Sequence, residues 1–273
     1  EWKEYKYTDL ATIIGGGTPK TSVPEYWNGE IPWLSVKDFV SVAKYVYSSE
    51  KHISELGLLN SSTKLLEKND IIISARGTVG AVAMIPCPMC FNQSCFGLRG
   101  NGIVDKNFLY YLTRTKIDEL KQSAHGSVFD TITKETFDNL LCLVPPLQLQ
   151  QKIGKFLSSL DSKIEINQRI NDNLEQQAQV LFNHYFVDTP EILGDCTVGN
   201  LTDIASYLNG LAMQKYRPTT NDAGIPVLKI KELGQGKVDE HSDQCSENID
   251  SQYKVDNGDV IFSWSGTLMV KIW

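Results

Sequence analysis

The feature that most constrains this 273-residue chain is a periodic run that follows a proline pair. Ile153, Leu157, Leu160, Ile164, Asn167, Asn171, Leu174, Ala178, Leu181 and Tyr185 succeed one another at intervals that alternate between four and three residues. This is an unbroken heptad seam, with 153, 160, 167, 174 and 181 at d and the others at a. Pro145-Pro146 suits a helix start and Asp188-Thr189-Pro190 suits a stop. A rod from 153 to 185 spans about 48 Å at the usual helical rise. Such a helix is not stable alone in water, so the seam predicts a partner helix. Packing against its own domain, with the asparagines near solvent, explains nine consecutive heptad intervals less well. Asn167 and Asn171 sit where Leu or Ile would give more stability. Polar residues at such positions fix register or partner at a cost in affinity.

The rod divides the chain into three segments, 1–146, 147–188 and 189–273. In the first, Ile31-Pro32-Trp33-Leu34-Ser35-Val36 and Ile71-Ile72-Ile73-Ser74 are short runs bounded by turn residues, which read as strands. Leu109, Leu112, Ile117 and Leu120 have helical spacing and predict a helix over 107–122. The fold class is therefore α/β (α+β): a β-rich domain, a long coiled-coil helix and a further domain.

That further domain repeats the opening of the first. Leu10-x-x-Ile13 recurs as Leu201-x-x-Ile204, Ile31-Pro32 through Asp38 as Ile225-Pro226 through Glu232, and Asp70-Ile71-Ile72-Ile73-Ser74 as Asp259-Val260-Ile261-Phe262-Ser263. The separations are 191, 194 and 189 residues, so order and spacing hold, as in a duplication. The second copy stops at Trp273, about seventy residues short of the first copy's extent. The expectation is a truncated tandem, in which Val260-Ile261-Phe262 has an uncovered edge and half a core.

Hydrophobic residues make up 41% and charged residues 22%, which excludes disordered and collagenous chains. No apolar run reaches membrane-spanning length. The charged start, Glu1-Trp2-Lys3-Glu4, is unlike a signal peptide, and the missing Met predicts that a few residues have been trimmed. Net charge is -7, which argues against a non-specific nucleic-acid coat. The segments carry -1, -1 and -5 in turn, leaving the first nearly neutral and able to hold a local basic groove. Cys87, Cys90, Cys95, Cys142, Cys196 and Cys245 read as reduced thiols, implying a reducing, cytoplasmic setting. One Cys-x-x-Cys with Cys95, and only His125 or Cys142 far off, falls short of a zinc site, so no metal is expected.

Catalytic signatures are missing. The sequence contains no phosphate-binding loop, nucleophile elbow or His-x-x-x-His pair, and no Asn-Pro-Pro-aromatic tetrapeptide of the amino-methyltransferase kind. Asp105 with Glu119 and Lys121 has the residue types of a metal-dependent nuclease. Two of these fall in the predicted helix, where a solvated charged face is the ordinary explanation. The remaining features suit DNA reading. Gly15-Gly16-Gly17-Thr18-Pro19-Lys20-Thr21-Ser22 can bring N–H groups, hydroxyls and a cation to phosphates, though it is also simply a turn. Trp33, Ser35 and Lys37 alternate along a strand and its end, and Lys231 is the counterpart of Lys37. Arg76-Gly77-Thr78 projects an Arg, the commonest reader of guanine, unless Asp70 or Glu67 pairs it. The candidate DNA contacts are thus Lys20, Thr21, Ser22, Trp33, Ser35, Lys37, Arg76, Thr78 and Lys231. Asn92-Gln93 can reach adenine or cap a turn.

Gly-Gly-Thr-Pro, then Ile-Pro-Trp, then Asp-Ile-Ile-Ile-Ser-Ala-Arg-Gly, then Asn-Gln, then Pro-Pro-Leu and a long helix, with the opening of the series repeated, resembles the specificity (S) subunits of type I restriction-modification systems. The resemblance covers essentially the whole chain. It implies two target-recognition domains, each reading one half of a split DNA target. The spacer helix would join them, pair antiparallel with a second spacer and bind modification (M) subunits. Those subunits would carry S-adenosylmethionine and methylate adenine, and a restriction (R) subunit would join to cleave. The chain itself would be no catalyst and hold no cofactor. Ser74-Ala75-Arg76-Gly77 against Ser263-Trp264-Ser265-Gly266 implies unlike halves and an asymmetric target. Where the family has a second spacer helix, this sequence has none. It is then either a homodimer through the helix that reads a palindromic split site, or a piece completed in trans. A scaffold whose helix alone still binds partners is a third reading.

Overall fold

Four consecutive buried positions, Ile71 to Ser74, fix the architecture of the first part of the chain. Ile71 and Ile73 point into one core with Tyr7, Phe108, Leu109 and Phe137, while Ile72 points into another with Leu34, Leu66 and Phe91. A strand apolar on both faces belongs inside a sheet with a layer on each side.

The structure, a computed structural model, describes residues 1–40, 44–124, 131–189, 194, 197–220 and 222–273. His125, Pro190 and Cys196 lie outside the described residues. The chain forms two units, Glu1–Asp188 and Thr189–Trp273. In order, the first contains β1 (Lys3–Lys6), α1 (Tyr7–Leu10), β2 (Ala11–Gly15), β3 (Trp27–Leu34), β4 (Lys51–Ile53), α2 (Glu55–Leu59), β5 (Ile71–Ser74), β6 (Val82–Met84), β7 (Cys90–Phe91), β8 (Cys95–Gly100), α3 (Lys106–Thr115), α4 (Ile117–Ala124), α5 (Lys134–Asp138), β9 (Leu141–Val144) and α6 (Leu147–Phe182). The central antiparallel sheet runs β2-β8-β5-β6. A second sheet runs β4-β3-β7, and β1 pairs antiparallel with β9. The chain is therefore tied at its start to the strand that feeds α6.

The predicted helix over 107–122 is two helices, parted at Lys116. Thr113 and Thr115 donate their hydroxyls back to the carbonyls of Leu109 and Leu112, at 2.7 and 2.8 Å, which loosens the last turn of α3. The strand predicted to run through Val36 ends at Leu34. Asp38 accepts from the Ser35 N–H and hydroxyl at 2.7 and 2.8 Å and winds the chain into a tight turn.

After Pro146, α6 runs for 36 residues and passes at Asn183 into a wider π-helical stretch that ends at Asp188. Tyr185 thus lies outside the regular α-helical seam, beside the stacked rings of Phe182 and Phe186. The foot of the helix is anchored. Gln150 is buried; its Nε2 donates to the Pro145 carbonyl at 2.8 Å and its Oε1 accepts from the Asp105 N–H at 2.8 Å. Gly154 is buried where a Cβ would stand 2.8 Å from Asp105 Oδ1 and 3.0 Å from the Phe108 nitrogen.

The second unit contains α7 (Leu201–Ile204), β10 (Gly224–Pro226), α8 (Ile230–Gln235), β11 (Gln244–Ser246), β12 (Val260–Ser263) and β13 (Met269–Ile272). It repeats local devices of the first. Asp9 and Asp203 close equivalent capping turns, which pairs Leu10 with Ile204 rather than Leu201 and brings the first separation to 194, equal to the second. Ser74 and Ser263 each donate to a carbonyl four residues on, that of Thr78 or Thr267, and accept an N–H from the returning strand. Gly77 and Gly266 share positive φ, +76° and +73°. The packing is not repeated. Among the described residues, β12 pairs only with β13, and Leu233 is the one buried hydrophobic side chain of this unit.

Candidate nucleic-acid rim and helix seam

The topology gathers the predicted DNA contacts of the first segment at one end of its domain. Strands β2 and β5 both pair antiparallel with β8, so their C-terminal ends coincide, and β3 runs parallel to β7. Loops 16–22, 35–38, 75–81 and 92–94 all leave from those ends. They are hydrogen-bonded in series: the Gly17 N–H donates to the Phe91 carbonyl at 3.0 Å, Asn92 to Leu34 at 2.9 Å and Ala75 to Ser94 at 2.8 Å, while the Thr18 hydroxyl donates to Gln93 Oε1. Lys20, Thr21, Ser22, Lys37, Arg76 and Thr78 are exposed on this rim, and Ser35 is half-buried in it.

Arg76 is free to reach outward because another arginine has taken its candidate partners. Arg99 pairs with both Asp70 and Glu67, and no ion pair forms at Arg76 among the described residues. Asp70 holds the Arg99 guanidinium charged, raising its pKa above the ordinary value. Gly16 and Gly17 are required by close packing. A Cβ on Gly17 would stand 2.3 Å from Ser62 Oγ and 2.4 Å from the Thr63 nitrogen, and the Gly17 N–H is already bonded. Trp33 is not a reader in this position. It is buried, packs edge-on against Trp27 and donates its indole N–H to the Gly17 carbonyl at 3.0 Å. The Ser35 hydroxyl is spent on Asp38. In the second unit, Lys231 is exposed, 3.9 Å from the buried carboxylate of Glu232.

Lys51 and His52, not among the expected contacts, stand beside the rim. Lys51 lies 5.8 Å over the Trp27 ring, and both residues line a shallow hollow with Thr21 beside the rim. Their pairing across β3 and β4 has no local signature.

Two of the residues that suggested a nuclease are engaged elsewhere. Asp105 is spent capping α3, accepting from the Asn107 and Phe108 N–H groups at 3.0 Å, and Glu119 pairs with Lys116 at 2.6 Å. No group of three metal-ligating side chains occurs among the described residues. Cys90, Cys95 and Cys142 are buried thiols whose pKa values burial pushes up to about 11, about 12 and about 11, while Cys87 is exposed.

The seam of α6 is open to solvent. Ile153 and Leu157 are half-buried at its foot and line a groove with Trp2, Phe108 and Leu141. Leu160, Ile164, Leu174 and Leu181 are about half exposed, and Asn167 and Asn171 are exposed. The domain grips a different face, about a quarter turn away at ~100° per residue. There Lys44 donates to Ser158 Oγ at 2.6 Å, and the Tyr111 hydroxyl donates to Asp161 at 2.6 Å. The spacing of Gln150, Gly154, Ser158 and Asp161 was the available signal for this contact, a small and polar stripe beside the apolar one. No described helix is long and apolar enough to cross a membrane.

Comparison with known proteins shows the family. The type I restriction modification DNA specificity domain matches residues 1–176. The type I restriction enzyme MjaIX specificity subunit of Methanocaldococcus jannaschii is 30% identical over 97% of this chain and 66% of its own length. The EcoR124I/EcoR124II specificity subunit of Escherichia coli is 30% identical over 68% of this chain and 46% of its own. The HsdS subunit from Thermoanaerobacter tengcongensis aligns with 70% of this chain and 41% of its own at a TM-score of 0.45 and 21% identity. The chain thus spans between about half and two thirds of these curated relatives. With the family model matched over 1–176 of its 273 residues, a mixed α/β first domain and a long helix, it belongs to the type I restriction-modification DNA specificity family.

Proposed function

We propose that the chain is the sequence-reading subunit of a type I restriction-modification complex and is not itself a catalyst. Its first domain reads one half of a bipartite double-stranded DNA target through the rim that carries Lys20, Lys37 and Arg76. The unlike counterpart rim, with Trp264 and Ser265 where the first has Ala75 and Arg76, serves the other half. The open seam of α6 docks the modification subunits, which bring S-adenosylmethionine and methylate adenine in the cytoplasm, and a restriction subunit adds cleavage. The observation that carries this reading is the convergence of the exposed cations on loops from one end of the sheets. A rim of this kind suits phosphate and base-edge contacts together.

Methylation mapping of DNA exposed to this chain with its M subunits tests the reading. The expected result is two different half-sites at a fixed separation, with salt-sensitive binding. Two identical halves would instead support a homodimer through α6, which the exposed Leu160, Ile164, Leu174 and Leu181 favour as a second reading. Absence of any sequence selectivity would reduce the chain to a helical scaffold.

A further inference from the structure

Beside the apolar contact of Ile153 with the main core, the grip of the domain on α6 has two polar parts. Near Pro145-Pro146, Gln150 and Gly154 form a pivot. One turn beyond Gly154, a buried lysine spans the gap between domain and helix. Lys44 is 5% exposed, and its ammonium donates to Ser158 Oγ at 2.6 Å, Asn107 Oδ1 at 3.0 Å and Tyr111 at 3.5 Å. The rings of Tyr45, Tyr110 and Tyr111 surround it at 5.5, 5.6 and 5.2 Å. Tyr111 carries the contact on to Asp161, and Arg169 lies 5.3 Å over the Tyr47 ring further up. A long flexible side chain pinned at its tip by three acceptors in an aromatic box is costly to bury, and apolar packing would hold two elements together at least as well. Directional bonds from a fixed point set an angle, which apolar packing does less sharply.

We propose that Lys44 is a positioning residue, which with Tyr111 fixes the angle at which α6 leaves the first domain and so the separation at which the two DNA half-sites are read. The second clause rests on the function proposed above; the first does not. From Gln150 to Phe182 the helix is a lever of about 48 Å, so a swing of ~10° at the pivot moves its far end by about 8 Å, roughly two base-pair steps. Small errors at the foot become whole base pairs at the reading head.

Two measurements separate these clauses. In the first, spin labels on bio-orthogonal amino acids at Lys64 and Gln176 report the distance between domain and helix in the full chain. Wild type is expected to give one narrow distribution, and Lys44→Met and Tyr111→Phe to broaden or shift it by several ångströms, with Lys44→Arg closer to wild type. Distributions unchanged in folded Lys44→Met and Tyr111→Phe overturn the proposal. In the second, the complex with M subunits is assayed on DNA whose half-sites are held constant and whose gap varies by one to three base pairs. Lys44→Met is expected to flatten a preference of tenfold or more to under threefold, with base preference within each half-site kept. If the label distances respond but the gap preference does not, the angular role stands and its link to DNA spacing falls. If wild type itself shows no selectivity, the proposed function falls and the label result still decides the role of Lys44.

Discussion

Asp70 grips Arg99 with both carboxylate oxygens: the guanidinium Nε donates to Oδ1 at 3.2 Å and to Oδ2 at 3.0 Å, and Nη2 donates to Oδ2 at 2.6 Å. The carboxylate is buried and also accepts the Glu67 N–H at 2.8 Å. Asp70→Ala is expected to leave Arg99 without its main partner and to cost about 2–4 kcal/mol in a urea melt. Arg76→Ala, exposed and without an ion pair among the described residues, is expected to leave the melt within about 0.5 kcal/mol. It should weaken selective DNA binding by the complex about five- to hundredfold, in keeping with loss of one base contact. Fluorescence anisotropy on matched and mismatched duplexes checks the second pair of effects. An Arg76→Ala protein that binds normally would remove this residue from the rim.

Gly154→Ala reverses the usual helix rule. In an exposed helix interior, replacing Gly with Ala stabilises by about 1 kcal/mol. Here the new Cβ meets Asp105 Oδ1 at 2.8 Å and the Phe108 nitrogen at 3.0 Å, so the α3 cap and the foot of α6 must part. The expected outcome is a net loss of about 1–3 kcal/mol by urea denaturation.

Replacing Asn167 and Asn171 together by Leu completes the apolar seam. The pair is expected to strengthen self-association of the chain, seen as a mass increase in sedimentation, because the polar residues lower affinity in exchange for selectivity. Unchanged sedimentation at high concentration would show that this stripe does not pair with a second copy.

The buried thiols give a pH signature. In the unfolded chain a thiol loses its proton near 9.0, whereas the folded chain holds those of Cys90 and Cys142 to about 11 and that of Cys95 to about 12. Their contribution to stability is therefore fully present below pH 9 and is lost as pH rises through those values. Thermal melts between pH 8 and 11 should show the decline. Iodoacetamide at pH 8 should modify Cys87 well before Cys90, Cys95 and Cys142, read by peptide mass.

The exposure of the candidate rim was legible where it depends on residue type and local order. Arg76 after a buried strand, and Lys20 after a glycine turn, were readable because a turn between strands exposes its tip whatever the partners are. Trp33 was misread because alternation assigns a face, and only the second sheet decides that this face is inside. Glu119 lies on a solvated helix face as expected, whereas Lys121 is half-buried beside Gly80, and that Asp105 caps α3 is seen only once the helix start is placed at Lys106. Lys44 gave no signal at all, since its acceptors Asn107 and Ser158 lie 63 and 114 residues away.

By itself the sequence determined the periodic elements: the strand Ile71–Ser74, the heptad run after Pro146, and the repeated serine and aspartate turns, each set by neighbours within a few residues. The tertiary structure alone decided which arginine stays free, which tryptophan is core, and which face of α6 the domain holds. Those outcomes depend on ion pairs, ring contacts and hydrogen bonds between residues far apart in the chain, where a single competing partner, such as Arg99 for Asp70, changes what its neighbour can do.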